Sequence, residues 1–190
     1  MESQELYNKY SDGRHWDAHP TIYAEMFSEF LKSQGVQGTV LDVGCGSGRD
    51  VNVFAKKGFD AIGIDYDIRE IKRAKERFPS LDVRLGNVER LDFSDTSIDA
   101  VYMINVIHYV DGEKSLGEAV RVLMQGGFFF VHFNLSIVDD EGSIDYTPNS
   151  KGVLELLSTT NIVHKRVFER VDIIPVKHTH KILELIVQKE

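Results

Sequence analysis

Two textures alternate along the first two thirds of the chain. Short, nearly continuous apolar runs, rich in β-branched and aromatic residues, stand at 39–43 (TVLDV), 60–65 (DAIGID), 81–85 (LDVRL), 98–105 (IDAVYMIN) and 128–133 (FFFVHF). Between them the apolar residues return at helical spacing. After Pro20 they are Ile22, Met26, Phe27, Phe30 and Leu31. Residues 48–57 form a second such stretch, stopped by Gly58, which suits the left-handed position after a helix end. Asp67 opens a third, with Glu70 three residues on as in a capping box and Ile68, Ile71, Ala74 and Phe78 on one face. A fourth covers 112–125 and closes at Gly126-Gly127. Strands apolar on both faces, each followed by one helix, predict a parallel sheet with helices on both faces, built from right-handed crossovers.

The rhythm breaks after residue 134. LSIVDDEGSIDYTPN is polar and predicts a long loop, with Asp139-Asp140-Glu141 in solvent or lining a substrate mouth. KGVLELLS predicts a helix. Strand-like runs at about 162–174 and 180–188 close the chain. The link between them is too short for a parallel crossover, so they predict an antiparallel hairpin.

The segment with chemical content is VLDVGCGSGRD, residues 40–50. It places a strand, then Gly44, Gly46 and Gly48, then a helix. In open α/β sheets ligands bind where a strand end turns into its helix. Glycine lets the backbone turn tightly there and approach a ligand without a Cβ in the way. A dinucleotide fingerprint, G-x-G-x-x-G, needs a small residue at position 49, which is Arg49. A phosphate-binding loop is excluded too, because no Gly-Lys-Ser/Thr follows.

The pattern that does stand here, D-x-G-x-G-x-G, resembles the first motif of the class I S-adenosylmethionine-dependent methyltransferases. GIDYD (63–67) places Asp65 17 residues after Gly48. GNVERLDF (86–93) is similar to that family's segment after the third strand, with Asn87 where many members carry Asp. IDAVYMINVIHYV and LMQGGFFFVHF are similar to its fourth- and fifth-strand motifs, so the likeness covers about residues 36–135. It implies S-adenosyl-L-methionine as cofactor and a Rossmann-like, doubly wound fold. That sheet is mostly parallel with an antiparallel C-terminal strand. It implies cofactor-binding roles for the glycine loop (Gly44, Cys45, Gly46, Gly48) and for Asp65 with its neighbour Tyr66. Asp65 would accept from both ribose hydroxyls. The Asn87 side-chain oxygen and the Val88 amide would meet the adenine, and the Asn105 carbonyl the methionine amine. Asp42 either touches the cofactor or holds the loop amides. Cys45 has no evident base and is expected to be a small loop residue, not a nucleophile.

No catalytic residue follows from these motifs, because a general base is needed only if the acceptor must lose a proton. The acceptor-side candidates are Tyr10, Trp16, His108, Tyr109 and His132. His108 is equally a loop cap, and His132 a satisfied core histidine. Tyr10, His15 and Trp16 form either a lid over the cofactor or a packing arm, and Arg14 is placed to pair with the methionine carboxylate. His178 and His180 share one strand face, but no third ligand stands near them in sequence, so no metal is expected.

Composition narrows the partners. The chain has 190 residues, 42% hydrophobic and 27% charged, which fits one folded domain. Its net charge of −8 and the absence of a basic cluster argue against nucleic acid and for a small-molecule acceptor. No apolar h-region opens the sequence and no run approaches the ~20 residues of a membrane span, so a cytoplasmic location is expected. One cysteine excludes a disulfide framework. The expected organisation is a single domain over 1–190: an N-terminal helical cap or lid (1–35), a cofactor-binding core (36–135), and a substrate-side loop, helix and terminal hairpin (136–190). The rival readings are a methyltransferase-like fold that binds cofactor or a partner without turnover, and a nicotinamide oxidoreductase, which Arg49 disfavours.

Overall fold

The structure is a computed structural model and describes residues 19–140, 142–145, 150–173 and 177–190. Along the chain run α1 (Ile22–Ser33), β1 (Thr39–Val43), α2 (Arg49–Lys56), β2 (Asp60–Asp65), α3 (Ile68–Arg77), β3 (Asp82–Leu85) and β4 (Ile98–Ile104). They are followed by α4 (Gly112–Val122), β5 (Leu123–Asp139), β6 (Gly142–Asp145), α5 (Ser150–Thr159), β7 (Thr160–Asp172) and β8 (His178–Lys189). The sheet order is β3-β2-β1-β4-β5-β8-β7, with β6 pairing β5. Strands β1 to β5 are parallel. β8 inserts antiparallel between β5 and β7, forming the expected terminal hairpin. β1 lies between β2 and β4, so the chain reverses direction across the sheet at the end of β1, the usual place for a ligand crevice.

Alternation along the strands builds two cores. Leu41, Val43, Val101, Met103, Phe129 and Val131 face Leu116, Ala119 and Val122 of α4 and Leu156 of α5. Val40, Ala100, Tyr102, Phe128 and Phe130 face Ala24, Phe27 and Leu31 of α1 and Val53 and Phe54 of α2. Phe27 anchors the second core, with ring centroids 5.5 Å from Phe130, 6.0 Å from Tyr102 and 6.4 Å from Phe54.

Three expectations are corrected. The helix ends at Val122, not near 125: Leu123 is already extended, and β5 begins there. Gly126 and Gly127 therefore sit within a strand. Gly126 has φ +76°, and a Cβ on Gly127 would lie 2.7 Å from the Asp99 carbonyl, so close backbone approach at a register shift explains both. The polar stretch after 134 is not all loop. β5 continues to Asp139, paired with β8 as far as Asp139↔His178 and with β6 over Ser136–Asp139. Backbone pairing on both sides supplies the order that apolar periodicity lacks. Finally, Asp67 does cap α3, accepting from the Arg69 amide at 2.8 Å, but Glu70 does not close a capping box. The Asp67 amide instead donates to Asp65 Oδ1 at 2.9 Å, and Glu70 pairs with Arg73. Among the described residues no helix is long and apolar enough to cross a membrane.

Candidate functional site

The glycine loop lies between β1 and α2, and its backbone requires glycine. Gly44, Gly46 and Gly48 have φ of +79°, +51° and +76°, all in the left-handed region that side chains with a Cβ avoid. The amides of Gly44 and Cys45 both donate to the Ile64 carbonyl at 2.8 and 3.0 Å, tying the loop to the end of β2. At Gly44 a Cβ would collide with Val106. At Gly46 it would meet only Glu70 Oε2, 3.9 Å away. The space over Gly46 is thus a cradle that one side chain would fill. Cys45 is buried, and burial foremost, then the Asp42 and Asp65 carboxyls, push its thiol well above the usual range. It is a loop residue and no nucleophile at neutral pH.

Asp65 closes β2 with its carboxyl against this loop. Oδ2 accepts from the Gly46 amide and Oδ1 from the Asp67 amide, each at 2.9 Å. Burial raises its carboxyl above the ordinary value, against the pull of those two amides. Each oxygen retains a lone pair for a ligand. Asp42 is 4% exposed, and burial, then the neighbouring Asp50, hold its carboxyl well above the usual carboxylate range.

Asp50, which the motif reading overlooked, anchors α1 to the loop. It accepts from the Thr21 amide at 2.8 Å, the Thr21 hydroxyl at 2.9 Å and the Tyr102 hydroxyl at 3.2 Å. An acid at the second position of α2, with Thr21 as the N-cap of α1, was the available signal. With Glu70, four carboxyls gather around the loop. Arg49 approaches Asp50 at 3.8 Å and the His19 carbonyl at 3.5 Å.

The end of β4 forms the adjoining rim. Asn105 is a non-glycine residue at φ +56°, where asparagine is tolerated better than most. Its amide donates to the His132 carbonyl at 2.9 Å, while its side-chain Oδ1 is buried without a hydrogen-bond partner. A buried acceptor left unpaired at a left-handed strand end is open to a donor on a ligand. Asn87 is exposed, and its Oδ1 accepts from the Glu89 amide at 2.8 Å, an asparagine turn that uses one of its lone pairs. The Val88 side chain packs into the core. Tyr66 is 68% exposed beside Asp65.

The acceptor-side histidines are buried. His108 Nε2 accepts from the Asn134 amide at 2.8 Å, and burial lowers its pKa to about 4. It is a neutral loop cap. Tyr109 stands at the rim, half-exposed, with its ring edge-on to His108. His132 is 1% exposed, its ring 4.3 Å from that of Tyr23, and its Nδ1 lies 3.6 Å from Glu184 Oε2. Burial raises Glu184, but His132, His164 and Arg166 more than offset this and hold it at about 2. Tyr10, Arg14, His15 and Trp16 lie outside the described residues. A cleft of about 350 Å³ between α4, α5 and Lys189 lies on the other face of the sheet, among Leu116, Arg121 and Leu156, and is no part of this site.

A family model described as a methyltransferase domain matches residues 41–131. A protein of Mycolicibacterium smegmatis named "Probable S-adenosylmethionine-dependent methyltransferase" is 32% identical over 148 residues, 77% of this chain and 58% of its own. The demethylmenaquinone methyltransferase of Renibacterium salmoninarum is 35% identical over 89 residues, 46% of this chain and 38% of its own. The chain thus spans well under two thirds of these relatives' length. Among solved structures, the PH0226 protein of Pyrococcus horikoshii superposes with a TM-score of 0.69 at 15% identity, over 98% of this chain and 99% of that one, which is a likeness of fold.

Proposed function

We propose that the chain is a class I S-adenosylmethionine-dependent methyltransferase that transfers the methyl group of S-adenosylmethionine to a small-molecule acceptor, a reading that its match to a methyltransferase domain over 41–131 and its methyltransferase relatives support. The observation that carries this reading is the loop itself: three left-handed glycines, an open cradle over Gly46, and the Asp65 carboxyl set against both. Its electrostatics support the same cofactor. S-adenosylmethionine carries an ammonium and a sulfonium against one carboxylate, a net positive ligand for a loop flanked by the Asp50, Asp65 and Glu70 carboxyls. The pyrophosphate of a dinucleotide would meet those carboxyls with like charge.

The remaining lone pairs of Asp65 would accept from the ribose hydroxyls, and the loop Gly44–Gly48 would receive the methionine part. Asn105 offers its unpaired Oδ1, the Val88 amide would donate to the adenine, and the exposed Tyr66 ring would border it. When bound, the cofactor supplies a methyl group already activated by the sulfonium charge. The chain's own residues then orient the acceptor and exclude water. His108 cannot take a proton without losing the Asn134 amide, and His132 is sealed beneath Tyr23, so neither acts as a general base. This favours acceptors that ionise in solvent or need no deprotonation. The segment before α1 is proposed, on its sequence alone, as the cap over this site, with Arg14 a candidate for the methionine carboxylate and Tyr10 and Trp16 for the acceptor; α1 itself packs into the core against the sheet. A fold that binds cofactor without turnover has no observation in its favour.

The test is release of S-adenosylhomocysteine from S-adenosylmethionine over a panel of thiols, carboxylic acids, amines and phenols, with tRNA as a control. Turnover with a small molecule is expected. Turnover with tRNA alone would overturn the acceptor class.

A further inference from the structure

The sequence offers His178 and His180 no third ligand, but the fold does. Both histidines project from one face of β8, two residues apart. In the β7–β8 ladder Asp172 stands directly opposite His178, and Arg170 opposite His180. One donor atom from each of Asp172, His178 and His180 lies within 4.8 Å of the other two. Asp172 Oδ2 is 3.2 Å from His180 Nε2 and 4.0 Å from His178 Nε2. The histidines are 3% and 6% exposed.

A second observation points to a cation between these atoms. His180 Nδ1 lies 2.9 Å from Asn134 Oδ1, itself buried, so the ring proton sits on Nδ1 and Nε2 carries a lone pair. That Nε2 is buried without a hydrogen-bond partner, and it faces a carboxylate oxygen. In the neutral ring that lone pair points toward the Asp172 oxygen 3.2 Å away, an arrangement that a shared cation would join. A metal-bound histidine usually donates its far ring N–H to an oxygen acceptor, a place that Asn134 Oδ1 fills here.

We propose that Asp172, His178 and His180 form a binding site for a divalent transition ion of the zinc class, with its fourth position open. Two imidazole nitrogens and one carboxylate suit zinc and disfavour magnesium and calcium, which prefer oxygen alone. A tetrahedral ion with bonds near 2.0–2.1 Å holds its ligand atoms about 3.3 Å apart. The 3.2 Å between Asp172 and His180 already matches that, and rotation of the His178 side chain would bring in the third ligand. One group competes: Arg170 Nη2 donates to the same Asp172 Oδ2 at 2.8 Å. Its side chain is 40% exposed, so it can swing into solvent and yield the oxygen. The site adjoins the β4 rim, because Asn134 joins the two regions: its side chain holds His180 and its amide holds His108.

Chelator-treated protein is titrated with zinc by calorimetry and with cobalt(II) by visible absorption. One equivalent is expected to bind. His180→Ala and Asp172→Asn are expected to weaken binding at least tenfold with unchanged far-UV circular dichroism, and Arg170→Gln to tighten it. Ligation is read without any variant from long-range ¹H–¹⁵N spectra of the seven histidines, in which the rings of His178 and His180 shift on adding zinc. Absence of stoichiometric binding overturns the proposal. So does binding that leaves those two rings unmoved and shifts other histidines.

Discussion

Replacing Asp65 by Ala separates what this carboxylate does for the loop from what it does for the cofactor. In the free protein it accepts two backbone amides, from Gly46 and Asp67, each at 2.9 Å. Hydrogen bonds to a charged acceptor contribute about 1.5–3 kcal/mol each. Two effects reduce the sum. The loop lies at the surface end of the sheet, where water can reach the freed amides, and burial already raises the Asp65 carboxyl, so its removal relieves a desolvation cost. A net loss of about 1–3 kcal/mol is expected, read from urea unfolding. The cofactor loses two ribose partners, about 2–4 kcal/mol, or roughly 30- to 1,000-fold in Kd. Calorimetry with S-adenosylhomocysteine measures that loss directly. Asp65→Asn keeps the shape and one acceptor oxygen, so its losses should fall between wild type and Asp65→Ala on both scales. An unchanged Kd in folded Asp65→Ala protein would refute the ribose assignment, and unchanged stability would refute the anchoring of the loop.

Gly46→Val is expected to fold with a loss of about 1–2 kcal/mol from its left-handed φ, since its Cβ meets nothing nearer than 3.9 Å, but to show no thermal shift with cofactor; a normal shift would mean that the loop faces some other ligand. Phe27→Ala should cost about 3–5 kcal/mol in chemical denaturation, because four aromatic rings surround it on one face of the sheet. His108 has its pKa lowered to about 4 by burial, so below about pH 6.5 the unfolded chain takes up a proton that the folded one refuses. The stability tied to its neutral form is therefore present at neutral pH and lost as pH falls from 6.5 to 4, by up to about 3 kcal/mol. The advantage of wild type over His108→Gln in urea midpoints should shrink across that window, and a pH-independent difference would show that His108 does not titrate in this way.

Sequence alone located most of the sheet because its strands are buried on both faces: TVLDV and DAIGID coincide with β1 and β2 residue for residue. It failed where order comes from pairing and not from apolar periodicity. Residues 134–139 mix Asn, Ser and Asp with Leu, Ile and Val and open a longer polar stretch, yet β8 and β6 bond them on either side. Glycines mark both helix ends and irregular strands, so Gly126-Gly127 suggested a stop that the backbone places within β5. Around the loop the motif identified Asp65 and the glycines, because their spacing reflects a local turn. It missed the Asp50–Thr21–Tyr102 network, whose partners lie 29 and 52 residues from Asp50. Nor did it place Asp172 beside His178 and His180, because strand register alone brings them together.

The central claim, that the glycine loop holds S-adenosylmethionine, is tested most directly by calorimetric titration of the chain with S-adenosylmethionine and, separately, with NAD. The account predicts saturable one-to-one binding of S-adenosylmethionine, abolished by Gly46→Val, and no binding of NAD. Saturable binding of NAD with none of S-adenosylmethionine would contradict it.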